Sequence, residues 1–346
     1  MREEAFGVRH VAGTKLRSLL AAAFSFTFLP FAAAHAQTCL EAADMTVPLR
    51  SSIEFAAQRY FDMSARGDTA SLRQNSIPTL ASNFGGVEAA VKENAEAFHG
   101  ARALARPPFL LTAEGAEALP RAEFLCGVFG ATGQTAQSAV FVFNNLPPGK
   151  YAVVILDVNG GKEGRTLTLI LQQEGADWKL GGYYARPTTA AGHNGNWYAE
   201  KARDYKKKSQ NHNAWLYFRE SIALGSPADF MSTLNSDKLY DETQSVQPTD
   251  MPANGNTIDL SAPGSHSYRM TEIFPLAVGD DLDVVVKYAS TDISNTQKTF
   301  QDNMSVIKAL VAKFPELREA FNGVVARAVA PSGQDYGSML PMKEIK

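Results

Sequence analysis

The sequence predicts an α+β protein: helices and a curved antiparallel sheet, then a helical hairpin, then a second, smaller α+β unit. Three observations predict it. Apolar residues recur at helical spacing from Ile53 to Ser64 and again over residues 86–98. After Pro107 the texture changes to six β-rich runs of strand length, divided by Gly, Pro and Asn. Beyond residue 257, strand-like runs return on either side of one long amphipathic helix, and runs of helices set beside runs of strands are the α+β pattern.

The chain has 346 residues, 45% hydrophobic and 20% charged, which is ordinary globular composition with room for two cores. Residues 1–36 read as a signal peptide. Arg2, Arg9, Lys15 and Arg17 make a basic start, residues 19–31 an apolar run too short to span a bilayer, and Ala34 and Ala36 a small-x-small cleavage site. Thr38 before Cys39 argues against a lipid anchor, and an uncleaved anchor is the alternative to cleavage. The mature chain is therefore expected outside the cytoplasm, periplasmic or secreted, with no later transmembrane segment.

The formal charge is −3. The leader carries four basic and two acidic residues, so the remainder holds 29 basic against 34 acidic, or −5. That balance gives no reason to expect a nucleic-acid partner. The basic run over residues 205–209 suits the last turn of a helix, where cations meet the negative end of the dipole. Two cysteines remain, Cys39 and Cys126; an oxidising compartment allows a disulfide between them, and a buried free thiol is the other reading.

The first helix is expected to begin at a capping box of Ser51 and Glu54, to bury Ile53, Ala57, Tyr60 and Ser64, and to stop at Gly67. In the sheet, Leu167, Leu169 and Leu171 make one face of a strand fully apolar. The last strand, "WKLGGYYARP" (178–187), places Trp178, Leu180, Gly182 and Tyr184 on one face if it is regularly extended. Two helices, the Gly67-Asp68 turn and a meander ending in "DWKLGGYY" resemble the cone-shaped α+β fold of the nuclear-transport-factor-2-like superfamily, over about residues 50–187. That resemblance implies a first domain at 37–190 and a cavity closed by the last strand. The same cavity could be filled by the first helix. "LPPGKY" also resembles β-sandwich modules related to carboxypeptidase regulatory domains, against which the upstream helices argue.

Within a helical hairpin expected at 191–240, residues 196–227 resemble one tetratricopeptide unit, with Ala202, Tyr205, Ala214, Phe218 and Leu224 near that spacing. One unit cannot build a solenoid, so a hairpin packed against the first domain is expected. Residues 241–257 are polar and rich in breakers and read as a linker to a C-terminal α+β domain at 258–346. There the strand from Tyr268 should place Met270, Glu272 and Phe274 on one face, and a helix capped by Ser294 and Gln297 should bury Phe300, Met304, Ile307, Val311 and Phe314.

Chemistry-bearing motifs are few. No phosphate loop, zinc motif or nucleophile elbow is present, so no cofactor, no metal and no catalytic residue is assigned. The candidate ligand-binding residues are Tyr60, Trp178, Tyr183 and Tyr184 in the cone, and His193 and His212 in the hairpin. The two histidines are each flanked by Asn and followed by Trp, a setting for acid–base work or for helix capping. The reading is a non-enzymatic binding protein for a small apolar ligand or an envelope protein partner. The alternatives are a cone-type isomerase or hydrolase of small carbonyl compounds, and a structural envelope component.

Overall fold

The computed structural model describes residues 37–129, 133–161, 163–262 and 266–346, so the expected signal peptide lies outside the described residues. Strand β1 (Gln37–Glu41) leads to helix α1 (Val47–Ala65) and to four short helices, α2 (Thr69–Gln74), α3 (Pro78–Ser82), α4 (Gly85–Glu93) and α5 (Ala95–Phe98). Seven strands follow: β2 (Arg102–Ala105), β3 (Phe109–Ala113), β4 (Leu119–Phe129), β5 (Gly133–Leu146), β6 (Gly149–Asn159), β7 (Arg165–Glu174) and β8 (Asp177–Pro187). A short pair, β9 (Thr189–Ala190) and β10 (His193–Asn194), opens the hairpin α6 (Gly195–Lys207) and α7 (Asn211–Gly225). Then come β11 (Met231–Thr233), α8 (Leu234–Gln244), β12 (Ile258–Ala262), β13 (His266–Val278), β14 (Asp281–Ala289), α9 (Thr296–Lys313), α10 (Leu317–Ala320), β15 (Gly323–Val329) and β16 (Asp335–Pro341). The α+β class expected from the sequence is what the chain adopts.

The N-terminal half has three layers. A six-stranded antiparallel sheet runs β1-β3-β6-β7-β8, with β2 also paired to β6. One face carries the helices. Ile53, Ala57, Tyr60 and Phe61 of α1 pack with Phe98 against Ala152, Val154, Leu167, Leu169 and Leu171. The other face carries a second sheet, β11-β5-β4, whose Ala122, Phe124, Ala139 and Phe141 pack on Leu111, Tyr151, Val153 and Ile170. β6 is therefore apolar on both faces because both are covered. Each large side chain withdrawn from water here is worth about 1.5–3 kcal/mol. The expected single meander thus divides, with β4 and β5 leaving the main sheet. A disulfide between Cys39 of β1 and Cys126 of β4 ties the two sheets, with their Cα atoms 5.3 Å apart.

Helix α1 starts earlier than expected. Thr46 precedes it and Pro48 sits in its first turn, where proline loses no intrahelical bond, so Ser51 is interior and caps nothing. Its end is as read, with Arg66 at the C-cap and Gly67 at φ +67°.

The hairpin shares its core with the C-terminal sheet. Tyr198, Ala202, Trp215 and Phe218 belong to one cluster with Met270, Ile273, Val284, Val286 and Phe321. Tyr217 Oη donates to Ala320 O at 2.6 Å, and Tyr205 Oη to Glu319 O at 3.3 Å. The first domain meets the hairpin mainly at its end, where Thr168 Oγ1 donates to Pro227 O. Helix α8 and the buried Val246 and Met251 structure part of the expected linker.

The C-terminal sheet is β12-β13-β14-β15-β16, with β14 and β15 parallel and α9 on one face. A bulge between Met270 and Glu272 reverses the alternation of β13, so Met270 and Ile273 are buried while Glu272 is exposed. Asn295, not Ser294, caps α9 by accepting from Lys298 N, and Phe300 is 48% exposed. The buried stripe of α9 is Thr299, Asn303, Val306, Ile307, Leu310 and Val311, with Phe314 at its end.

Candidate functional site

The aromatic strand β8 carries a bulge. Leu171 pairs with Leu180 and Ile170 with Gly182, so Gly181 is the extra residue and the alternation reverses there. Trp178, Leu180 and Tyr183 consequently share the face under α1, while Tyr184, 38% exposed, points to the opposite side against Phe230 at 5.0 Å. The regular extended phase that would join Trp178 to Tyr184 does not occur.

The space beneath α1 is occupied. Tyr60 is fully buried, its hydroxyl directed at the carbonyls of Asn75 and Trp178, at 2.8 and 2.9 Å. Trp178 Nε1 donates to Ser52 Oγ at 3.1 Å. The Tyr183 hydroxyl is buried beside Ser64, whose own proton goes to Tyr60 O, and it has no hydrogen-bond partner among the described residues. Burial pushes that phenol up to about 12. These three rings are packed core.

The two histidines are far from this core and from each other's chemistry. His193 is exposed and stacks flat on Trp197, ring centroids 3.6 Å apart. The neighbouring Asn194 caps α6 by accepting from Trp197 N. His212, at the start of α7, lies between two carboxylates: Nε2 is 2.9 Å from Asp250 Oδ1 and Nδ1 meets Glu316 Oε1. Phe314 packs on its ring at 4.6 Å. With both nitrogens engaged, this imidazole clamps the hairpin to the segment after α9 and has no free nitrogen for a substrate. No group of three or more His, Cys, Asp or Glu side chains able to hold a metal occurs among the described residues.

An open space does exist in the N-terminal half, at the seam between its two sheets. A cavity of about 560 Å³ is bounded by the turn after β1 (Glu41, Ala42, Ala43), Arg106 to Phe109, residues 137–139 of β5, Ile155 of β6, and Met231 and Thr233 of β11. Its walls are mainly apolar: Ala42, Pro107, Pro108, Phe109, Ala139, Ile155 and Met231. Arg50, Arg106 and Glu41 supply charge. Arg106 is held by Asp157 through two contacts of 3.0 and 2.7 Å, whereas Arg50 stands 3.8 Å from Glu54. Glu41 rests against Gly127, the bulge residue of β4 at φ +63°. Ser138 steadies that bulge by donating to Gly127 O.

This arrangement suits capture of an apolar body with a polar end near Arg50. None of its lining residues was among the candidate binding residues read from the sequence. They come from six separate elements, brought together only because β4 and β5 form a layer of their own. The Pro107-Pro108 pair before β3 and the Gly in "FLCGVF" were the available signals, the first ending a strand edge and the second marking a bulge.

The chain matches no protein-family model, and no curated protein or solved structure shows significant similarity to it. No helix among the described residues is long and apolar enough to cross a membrane.

Proposed function

We propose that the chain is an exported binding protein whose ligand is a small apolar molecule, held in the seam between the two N-terminal sheets. One observation carries this reading: the interior under α1 is filled, while the intersheet space of about 560 Å³ is open and walled by apolar side chains. The volume is in the range of ligand-sized pockets, roughly 300–1,000 Å³. The Cys39–Cys126 disulfide is compatible with export, since such bonds persist in oxidising compartments. Helices packed on one face of an antiparallel sheet agree in general class with the nuclear-transport-factor-2-like resemblance, and α6–α7 with a lone tetratricopeptide-like hairpin.

The test is titration of the mature protein with the apolar dye phenylnaphthylamine, followed by its fluorescence. The dye should bind at one site. Ala43→Trp, at an exposed residue that lines the seam and not the cavity beside α8, should weaken it about tenfold or more, a difference of about 1.4 kcal/mol, with no fall in Tm. Tyr183→Phe, in the packed core, should leave the dye affinity unchanged. Dye binding that is undiminished by Ala43→Trp would refute the seam as the site.

A further inference from the structure

A second cavity, of about 470 Å³, lies between α7, β11, α8 and the loop at Ala253-Asn254. Its charges pair unevenly. Arg186 is already satisfied, Nη2 lying 2.6 Å from Asp229 and Nη1 3.4 Å from Ser226 O. Arg219 is different. Its guanidinium lies over Trp215, 4.6 Å from the ring centroid, and gives one hydrogen bond, from Nη1 to Ile273 O at 2.7 Å. Among the described residues no carboxylate stands within ion-pair distance of it. Burial lowers its affinity for its own proton, and Glu272 and Glu220 only partly offset that from a distance. A guanidinium has five N–H donors in a planar fork. A largely desolvated one facing a cavity with donors to spare fits a planar anion.

On the α8 wall of the same cavity stands Asp237, half-buried, with no hydrogen bond or ion pair among the described residues. Arg219 and Asp237 form no ion pair with one another among the described residues. Ile222, Ala223 and Met231 line the same cavity, and Tyr240, also in its lining, is exposed. The cavity therefore offers a cation from α7, an anion from α8 and apolar side chains in the same lining.

We propose that this cavity binds a small zwitterion of amino-acid or dipeptide size, its carboxylate on Arg219 and its ammonium on Asp237. The two charges of such a ligand would be matched separately, and its side chain would lie on the apolar part of the lining. A simple anion would leave Asp237 repulsive; a simple cation would leave Arg219 so. The site is distinct from the intersheet seam, with Met231 common to the linings of both.

The test is saturation-transfer NMR of the mature protein against a panel of the common L-amino acids and their X-Ala dipeptides, with calorimetric titration of any binder. At least one panel member should bind. N-acetylation and C-amidation should each weaken it about tenfold or more, as should Asp237→Asn and Arg219→Lys, the latter keeping the charge but losing the fork. Asp237→Asn changes an unpaired side chain and should leave the fold intact, which thermal unfolding checks. The zwitterion should not displace phenylnaphthylamine, so the two sites stand or fall separately. Failure of every panel member to bind, or equal binding by Asp237→Asn or by the capped forms, would overturn the proposal.

Discussion

Replacing Glu220 by Gln should stabilise the protein at alkaline pH and leave it unchanged in acid. Glu220 lies on α7 and faces a cleft of about 740 Å³ together with Glu163, Arg165, Asp280 and the turn Ala190–Gly192. Its carboxyl makes no hydrogen bond or ion pair among the described residues. Burial raises its pKa from 4.5 to about 7, and the neighbouring Arg219 counters this only in part. The folded state thus keeps a proton that the unfolded chain releases near 4.5. Stability from this group is fully present below that value and is lost as pH rises through about 7. At about 1.4 kcal/mol per pH unit the loss has a ceiling of about 3 kcal/mol, reduced to about 2 because the carboxyl keeps some contact with solvent. The neutral amide of Gln has the same shape and no ionisation to suppress. Urea unfolding followed by tryptophan fluorescence should show Glu220→Gln more stable by about 2 kcal/mol near pH 8 and equal to the parent near pH 4. Carboxyl-carbon NMR should place the Glu220 midpoint near 7. An equal effect at both pH values, or a midpoint near 4.5, would refute the reasoning.

Three other outcomes are expected. Cys39 and Cys126 are 87 positions apart, and closing a loop of that length is worth up to about 4–5 kcal/mol of denatured-state entropy; the double Ala variant should unfold at a markedly lower urea concentration, and a loss under about 1 kcal/mol would show that the seam is held by packing alone. A Cβ at Gly127 would come 2.6 Å from Glu41 Oε1, at a positive φ, so Gly127→Ala should cost about 1–2 kcal/mol in chemical denaturation and swing Glu41 off the cavity rim. Tyr60→Phe should cost about 1 kcal/mol by the same measurement while leaving dye affinity intact, because its hydroxyl serves backbone carbonyls and not the cavity.

What was legible in the sequence was local. The buried stripe of α1, its stop at Gly67 and the all-leucine face of β7 follow from period and from glycine's freedom at positive φ, and each appears where read. What was not legible was phase and partnership. One inserted residue, at Gly181 in β8 or near Thr271 in β13, reverses every later side chain, and counting alternation cannot see it. Tyr184 therefore left the predicted face and Tyr183 entered it. The hairpin's partner was hidden for another reason. Tyr205 and Tyr217 anchor to carbonyls more than a hundred positions away, and nothing near them in the chain points to Glu319 or Ala320.

The position of the intersheet cavity follows from an imbalance of area. The six-stranded sheet is apolar on both faces and must be covered twice. Helix α1 with its short successors covers one face along its length. The other face meets a sheet of only three strands, one of which, β11, has three residues. Such a layer can seal the middle, where Phe124 and Phe141 sit on Val153, but not the end where β1 turns toward α1. There Pro107 and Pro108 lack N–H groups to pair, so the strand edge is not extended across the gap. The disulfide from β1 to β4 links the two layers. An apolar recess edged by Pro107 and Pro108, left where the smaller layer ends, is a consequence of this architecture.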